Sequence, residues 1–354
     1  MLETSDKVQQ SLESRPSGAL LKLMDAYGYD VLGSREWLEG DRLYRLGFQY
    51  AAVEMLIREY FLGEETFKGK KAYETEWKGK NKSIVYGKGD VNADAVIVRK
   101  PSPTEKTVPW RALLDYLPQP PLPLFVIDLS MKFLHTPEEL SKLRLQLGVT
   151  LSVIREYLWD AHMSITGADE ETAKWINEVM GVNKVAIVNA RPSEVLWGYD
   201  ADKVIILRPD ASTPLKPDDV MTADAFLIGG IVDKIPRPGL SRMLDSLVPW
   251  GVPRRIELKG SVIGVPERIN RIVEVLLKSR YLYGGDIEKA IITTMSKKDR
   301  IARAYREIVK YSNDKGTNRV NNDLYEQLRS WLPLTYDEFL EAARRAHVEV
   351  VNSG

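Results

Sequence analysis

The sequence predicts an α/β protein: a mainly parallel sheet covered by helices, preceded by an N-terminal α+β region and followed by a small helical region. Three observations carry this. Between Leu124 and Ser279, short apolar runs alternate with helical ones, the rhythm of strands buried on both faces by crossover helices. Before that span, prolines cluster at 101, 103, 109, 118, 120, 121 and 123, and proline breaks both regular structures and stiffens linkers. After it, the chain is polar from about Ser312 to Asn322 and then turns helical again. The expected domains are 1–105, 106–285 and 286–354.

The elements follow in order. Residues 17–62 carry helical periodicity, as in Leu43-Tyr44-Arg45-Leu46-Gly47-Phe48. Ser83-Ile84-Val85-Tyr86 and Asp94 to Val98 read as two strands about a Gly/Asp/Asn turn. Leu124–Leu129 is a strand, and Pro137–Trp159 a helix opened by Pro137-Glu138-Glu139. Asp169–Met180 is a helix, Lys184–Asn189 a strand and Pro192–Gly198 a short helix. Lys203–Leu207 and Ala225–Ile228 are strands, Pro238–Val248 a helix, Arg255–Leu258 a strand and Pro266–Ser279 an amphipathic helix. Leu324–Trp331 and Tyr336–His347 close the chain as helices.

Composition removes several chemistries. The 354 residues contain no cysteine, which excludes disulfides, thiolate zinc sites, iron–sulfur clusters and a cysteine nucleophile. The three histidines, His135, His162 and His347, are scattered, so neither a multi-histidine metal site nor a Ser-His-Asp triad is expected. No apolar run approaches a membrane span, and the polar first residues do not read as a secretory signal. A cytoplasmic protein without a membrane partner is the expectation. Formal net charge is zero, yet the charges are uneven. Lys68, Lys70, Lys71, Lys78, Lys80, Lys82 and Lys88 are interleaved with Phe67, Tyr73, Trp77 and Tyr86. Lysines bind phosphates and aromatic faces stack on unpaired bases, so the mixture suits RNA, although a solvated hairpin has the same composition. A second basic group, Lys297, Lys298, Arg300, Arg303 and Arg306, reads as an ordinary charged helix face.

The dinucleotide and P-loop fingerprints are missing. The most informative segment is Asp224 to Lys234, Asp-Ala-Phe-Leu-Ile-Gly-Gly-Ile-Val-Asp-Lys. An apolar strand enters a Gly-Gly turn, where a ligand can approach the peptide groups closely. It then delivers Asp233 beside Lys234. Asp233 alone could equally cap a helix. In open parallel sheets, however, ligands lie beyond the carboxyl ends of the strands, and Gly229-Gly230 occupies such an end.

Three stretches together resemble the Trm10 family of transfer-RNA methyltransferases, a branch of the SPOUT superfamily. They are Phe125-Val126-Ile127-Asp128-Leu129-Ser130, the segment Phe226 to Lys234, and Arg254-Arg255-Ile256-Glu257-Leu258 followed by Ile269 to Lys278. The resemblance covers roughly residues 110–280. It implies a SPOUT-type parallel sheet with a C-terminal trefoil knot, an exception to unknotted topology. It implies S-adenosyl-L-methionine held largely by backbone groups of three loops, drawing on Leu207, Arg208, Ile228, Gly229, Gly230, Val232, Ile256, Leu258, Lys259, Ile263 and Gly264, with Asn270 nearby. It also implies methyl transfer to N1 of the purine at position 9 of tRNA. Asp233 is the first candidate for the catalytic acid, with Asp210 and Asp128, both at expected strand ends, as second choices. A carboxylate would take the N1 proton of guanine or stabilise the cation that forms on adenine. Asp245 reads as a surface charge in mid-helix. Lys68, Lys70, Lys71, Lys78, Lys80, Lys82, Lys234, Arg237, Arg242, Arg254 and Arg255 are the expected tRNA contacts. The flanking regions would let one subunit suffice. An RNA-binding accessory protein without catalysis is the alternative, against which Gly229-Gly230 and Asp233 argue. The chain departs from the family pattern at Arg271 and at Arg208-Pro209-Asp210.

Overall fold

The structure is a computed structural model and describes residues 13–35, 38–100, 106–231 and 242–351. It forms two compact units. The first is Met1–Asp202 with Asp224–Val232, and the second is Lys203–Ala223 with Asp233–Gly354.

In the first unit, six strands form one sheet: β1 (Val31–Ser34), β2 (Phe61–Gly63), β3 (Lys68–Trp77), β4 (Lys80–Asn92), β5 (Ala95–Val98) and β6 (Thr107–Val108), in the order β3-β4-β1-β5-β2-β6. Helices Pro16–Tyr27 and Phe48–Arg58 bury Leu20, Met24, Phe48 and Leu56 with Ile84 and Ile97 of the sheet. The expected unbroken helical region is therefore interrupted by β1. Gly28, at φ 74°, ends the first helix in the left-handed region, where glycine carries no Cβ penalty. The apolar Val31-Leu32 then pairs in parallel with β4, and Leu32 also with β5. β4 likewise runs on through the expected Gly/Asp/Asn turn to Asn92.

The same unit holds four parallel strands: β7 (Leu124–Asp128), β8 (Met163–Thr166), β9 (Ala186–Ile187) and, from later in the chain, Ala225–Gly229. The last pairs with β7, β7 with β8, and β8 with β9. The strand β8 is absent from the sequence expectation. Its Ser164 and Thr166 disguise a segment that is wholly buried, because their hydroxyls donate to Ala186 O and to Asp128. Helix Pro137–Arg155 begins in a Thr136/Glu139 capping box, which satisfies amides that the first turn leaves orphaned. Asp169 caps helix Glu170–Met180.

The second unit holds β10 (Val204–Leu207), which pairs in parallel with Val252–Arg254. The strand expected over Arg255–Leu258 thus lies earlier. Beyond Arg254 the chain leaves the ladder, keeping one bridge from Arg255 to Pro214 and one from Leu258 to Ser261. Helix Ile269–Tyr281 follows, then Ile287–Thr294, Lys297–Lys315, Asn322–Arg329 and Tyr336–Arg345. The polar stretch after Ser312 is the end of a helix, closed by Gly316 at φ 61°. The last two strands, Arg319–Asn321 and Glu349–Val351, pair in parallel.

Candidate functional site

The first unit brings together the ends of three adjacent strands. Gly229 lies in register with Asp128, and Asp128 with Thr166. The Gly230 amide donates to Asp128 O at 2.8 Å, so the glycine turn is folded directly onto the next strand. A Cβ at Gly230 would stand 2.3 Å from Leu129 Cδ2 and 2.9 Å from Asp128 O. No side chain fits there, and the turn can offer only its backbone. A parallel constraint operates one strand over, where Gly167 has φ 65° and a Cβ would meet Ser130 N at 2.6 Å.

Asp128 is only 4 % exposed. Its carboxylate accepts from Thr166 Oγ1 at 3.0 Å and from the Ser130 hydroxyl and amide. A buried carboxylate needs such donors, and these bind the β7 and β8 exits to each other. Of the three expected acids, Asp128 is the one spent on holding the loops. Ile228 is buried on the strand before the turn. Val232, Asp233, Lys234 and Arg237 lie outside the described residues.

The second unit carries the other expected loops. Leu207 ends β10, and the Arg208 amide continues the ladder to Arg254 O at 3.0 Å. Arg208 Nη1 pairs with Asp245 Oδ2 at 3.0 Å, and Arg242 Nε donates to Asp210 Oδ2 at 2.7 Å. Asp245 does stand in mid-helix with a partly exposed side chain, but it carries a partner that the sequence does not suggest. It is the partner of a mostly buried arginine, because helix Met243–Leu247 returns it to the end of β10. Arg255 donates Nη1 to Ala211 O at 2.9 Å and to Ser212 O, while the Leu215 amide donates to Arg255 O at 2.8 Å. The stretch after β10 and the stretch after Arg254 are therefore laced into one loop layer.

From Leu258 the chain makes a tight hairpin. Leu258 and Ser261 exchange both backbone hydrogen bonds, at 2.8 and 3.1 Å. Lys259 and Gly260 at its tip both have positive φ, 46° and 74°, the pattern of a type I′ turn. Ile256 is half-buried, Leu258 buried and Ile263 exposed, and Gly264 turns the chain at φ 78°. Asn270 is buried in the first turn of helix Ile269–Tyr281. The described part of the expected cofactor set is mostly apolar side chains and glycines, with Arg208, Lys259 and Asn270 as its polar members. The glycines at 229, 230 and 264 and the walls of Ile228, Ile256 and Leu258 leave backbone groups and apolar surface for an adenosine, and the Asn270 amide could bond a neutral polar group. Among the described residues, no group of three or more His, Asp or Glu is placed to hold a metal ion.

The expected tRNA contacts divide. Lys68, Lys70, Lys71, Lys78 and Lys80 are exposed on the β3–β4 hairpin, whose Lys78-Gly79 tip also has two positive φ angles. Lys82 is 1 % exposed and pairs with Asp25 at 2.6 Å and Asp30 at 2.9 Å. Its burial opposes protonation, but the two carboxylates outweigh that and hold its pKa above the usual lysine value. It is a core cation and cannot meet a phosphate. The aromatic residues are turned partly inward, with Tyr73 and Tyr86 half-buried against the core. Trp77 is buried with its indole donating to Asp25, Tyr73 packs edge-on against Phe48, and the Tyr86 hydroxyl donates to Leu38 O. Trp77 is thus removed from the expected stacking platform, and Tyr73 and Tyr86 give part of their faces to the core. Arg254 pairs with Asp219 at 2.7 Å and Arg255 with Glu257 at 2.8 Å, whereas the Arg242 side chain is largely exposed.

Three comparisons bear on this arrangement. Residues 152–255 match a protein-family profile described as protein arginine N-methyltransferase SFM1-like. The chain is 30% identical over 271 residues to the tRNA (adenine(9)-N1)-methyltransferase of Sulfolobus acidocaldarius, covering 75% of this chain and 82% of that protein. It is 29% identical to the tRNA (guanine(9)-/adenine(9)-N1)-methyltransferase of Thermococcus kodakarensis, covering 64% of this chain and 62% of that protein. Among solved structures, Sulfolobus acidocaldarius Trm10 in complex with S-adenosylhomocysteine matches with a TM-score of 0.66 and 25% identity, over 94% of this chain and 98% of that one.

Proposed function

The chain belongs to the Trm10 family of tRNA methyltransferases, and on that footing we propose that it methylates N1 of the purine at position 9 of tRNA with S-adenosylmethionine. The observation that supports this most is the extent of the likeness: 82% of a curated relative and 98% of a cofactor-product complex are covered, so the flanking regions as well as the sheet are shared. The SFM1-like match spans only 152–255. It leaves out the lysine hairpin and the C-terminal helices, and so favours tRNA over a protein arginine as acceptor.

In this reading the sulfonium supplies an activated methyl group, displaced in line, so that positioning carries much of the catalysis. Leu207 and Arg208, Ile228 to Val232, and Ile256 to Gly264 with Asn270 would hold the cofactor, mainly by backbone groups. Asp233 follows the glycine turn and would act on the purine edge, accepting the N1 proton of guanine or facing the cation left on adenine. Asp210, tied to Arg242, is the second acid in reach of that role, and Asp128 holds the turn. Lys68, Lys70, Lys71, Lys78 and Lys80, together with Lys234, Arg237 and Arg242, would contact tRNA phosphates. The SPOUT knot, the 1–105, 106–285 and 286–354 layout, action as a monomer and a cytoplasmic location belong to the same proposal. Among the described residues no helix is long and apolar enough to cross a membrane.

The test is to incubate the full chain with unmodified tRNA and methyl-labelled S-adenosylmethionine and to map the label by mass spectrometry. Label on N1 of base 9 is the expected result. Label on a protein arginine, at another nucleotide or nowhere would refute the proposal.

A further inference from the structure

Arg303 lies on helix Lys297–Lys315, in a region the chemistry above does not use. It is 1 % exposed. A guanidinium in the interior must recover its lost hydration through hydrogen bonds. Burial, the largest influence, holds its pKa below the ordinary arginine value despite nearby Glu307 and Glu288. Arg303 Nη1 donates to Leu258 O at 2.7 Å and to Ile263 O at 3.4 Å. Nη2 pairs with Glu307 on its own helix at 2.8 Å. Two of its hydrogen bonds therefore go to the residue that opens the hairpin and to the stretch of chain that leaves it. Leu258 O accepts from Ser261 N as well, so the arginine caps a closed hairpin turn.

Three more contacts act on the same loop. A Cβ at Gly264 would stand 2.7 Å from Arg303 Cβ and 3.0 Å from Asp299 O, so the loop backbone lies directly against the helix. The Lys259 ammonium sits 5.0 Å from the Trp331 ring centre and the Arg303 guanidinium 5.4 Å from it, both within cation–π range. The Lys259 amide donates to Glu288 Oε1 at 2.9 Å. Leu258 to Gly264 has little regular structure of its own, and the C-terminal helices supply these ties.

We propose that Arg303 is a positioning residue for methyl transfer, bracing the 258–264 hairpin from the C-terminal helices so that its backbone is preorganised for S-adenosylmethionine. This rests on the reading of that hairpin as a cofactor loop. A preorganised loop gains affinity by removing the cost of ordering on binding. Arg303 is buried and so makes no contact with tRNA of its own; its loss should act through the cofactor loop.

The test compares the full chain with Arg303→Met and Arg303→Lys. S-adenosylhomocysteine binding is read by calorimetry, and steady-state kinetics are run with S-adenosylmethionine and unmodified tRNA. For Arg303→Met, the cofactor Kd and KM should rise on the order of ten-fold or more. The tRNA KM, and kcat at saturating cofactor, should stay within about two-fold. Arg303→Lys, which can still reach Leu258 O, should recover part of the loss. Glu288→Ala removes the tie to the Lys259 amide from outside the loop and should give the same split if Arg303→Met does not fold. An unchanged cofactor Kd in a folded variant, or a fall in kcat at constant cofactor KM, would overturn the proposal and leave the cofactor-loop reading in place. If the unaltered protein binds no S-adenosylhomocysteine, the cofactor-loop reading itself falls.

Discussion

Gly230→Ala is the smallest change that reaches the proposed cofactor turn. The added methyl carbon would lie 2.3 Å from Leu129 Cδ2 and 2.9 Å from Asp128 O, whereas non-bonded carbons rest at about 3.5–4.0 Å. The Leu129 methyl would have to retreat by more than ~1 Å. Leu129 is fully buried, so it has no solvent to retreat into. Asp128 O is held by the Gly230 amide at 2.8 Å, so the turn cannot slide away without breaking that bond. Overpacking of this kind costs about 1–3 kcal/mol. If the turn shifts to relieve it, the cofactor must restore the geometry on binding, a loss of roughly ten- to a hundred-fold in affinity. Thermal unfolding and calorimetric titration with S-adenosylhomocysteine, run on both proteins, measure the two parts. A variant with wild-type melting and a Kd within about two-fold of wild type would show that the contact is harmless and that the turn does not hold the cofactor.

Asp233→Asn should slow methyl transfer on the order of 10²-fold with a guanine-9 tRNA, and less with adenine-9, because only guanine must lose a proton. Equal rates with both purines across pH would remove Asp233 from the chemistry. Lys82→Met should lower stability by about 1–3 kcal/mol, since its two partner carboxylates are partly solvated, while tRNA affinity stays the same. Joint replacement of Lys70, Lys71, Lys78 and Lys80 by Ala should do the reverse, weakening tRNA binding and flattening its salt dependence. An unchanged salt slope would leave these lysines as ordinary solvated charges. Burial pushes the Asp219 carboxyl up, but the Arg254 hydrogen bond and charge, with the Lys216 amide, outweigh it and leave its pKa below the ordinary 3.8. That stabilisation is present above the unfolded value and is lost as pH falls through the folded one. Asp219→Asn should accordingly lose less stability than wild type as pH falls below about 4, and an equal loss would assign the acid sensitivity elsewhere.

The parts legible in the sequence were those whose signal is local. Leu124–Ile127, Val204–Leu207 and Ala225–Ile228 are apolar runs because sheet strands buried on both faces must be. Thr136-Pro137-x-Glu139 writes its own capping box. The glycine turn was visible for the same reason. The rest depends on partners distant in sequence. Met163–Thr166 hides behind two hydroxyls that matter only once Asp128 and Ala186 are adjacent. Lys82 reads as a surface charge until Asp25 and Asp30 flank it. Asp245 gains meaning only through Arg208. Arg303 sits in a run of basic residues with nothing in the pattern to mark it as the buried one.

The most direct measurement is a crystal structure of the full chain with S-adenosylhomocysteine. The thioether nucleoside should lie against the Gly229-Gly230 backbone. A nucleoside bound elsewhere, with no contact to Gly230, would contradict the assignment of the glycine turn as the cofactor site.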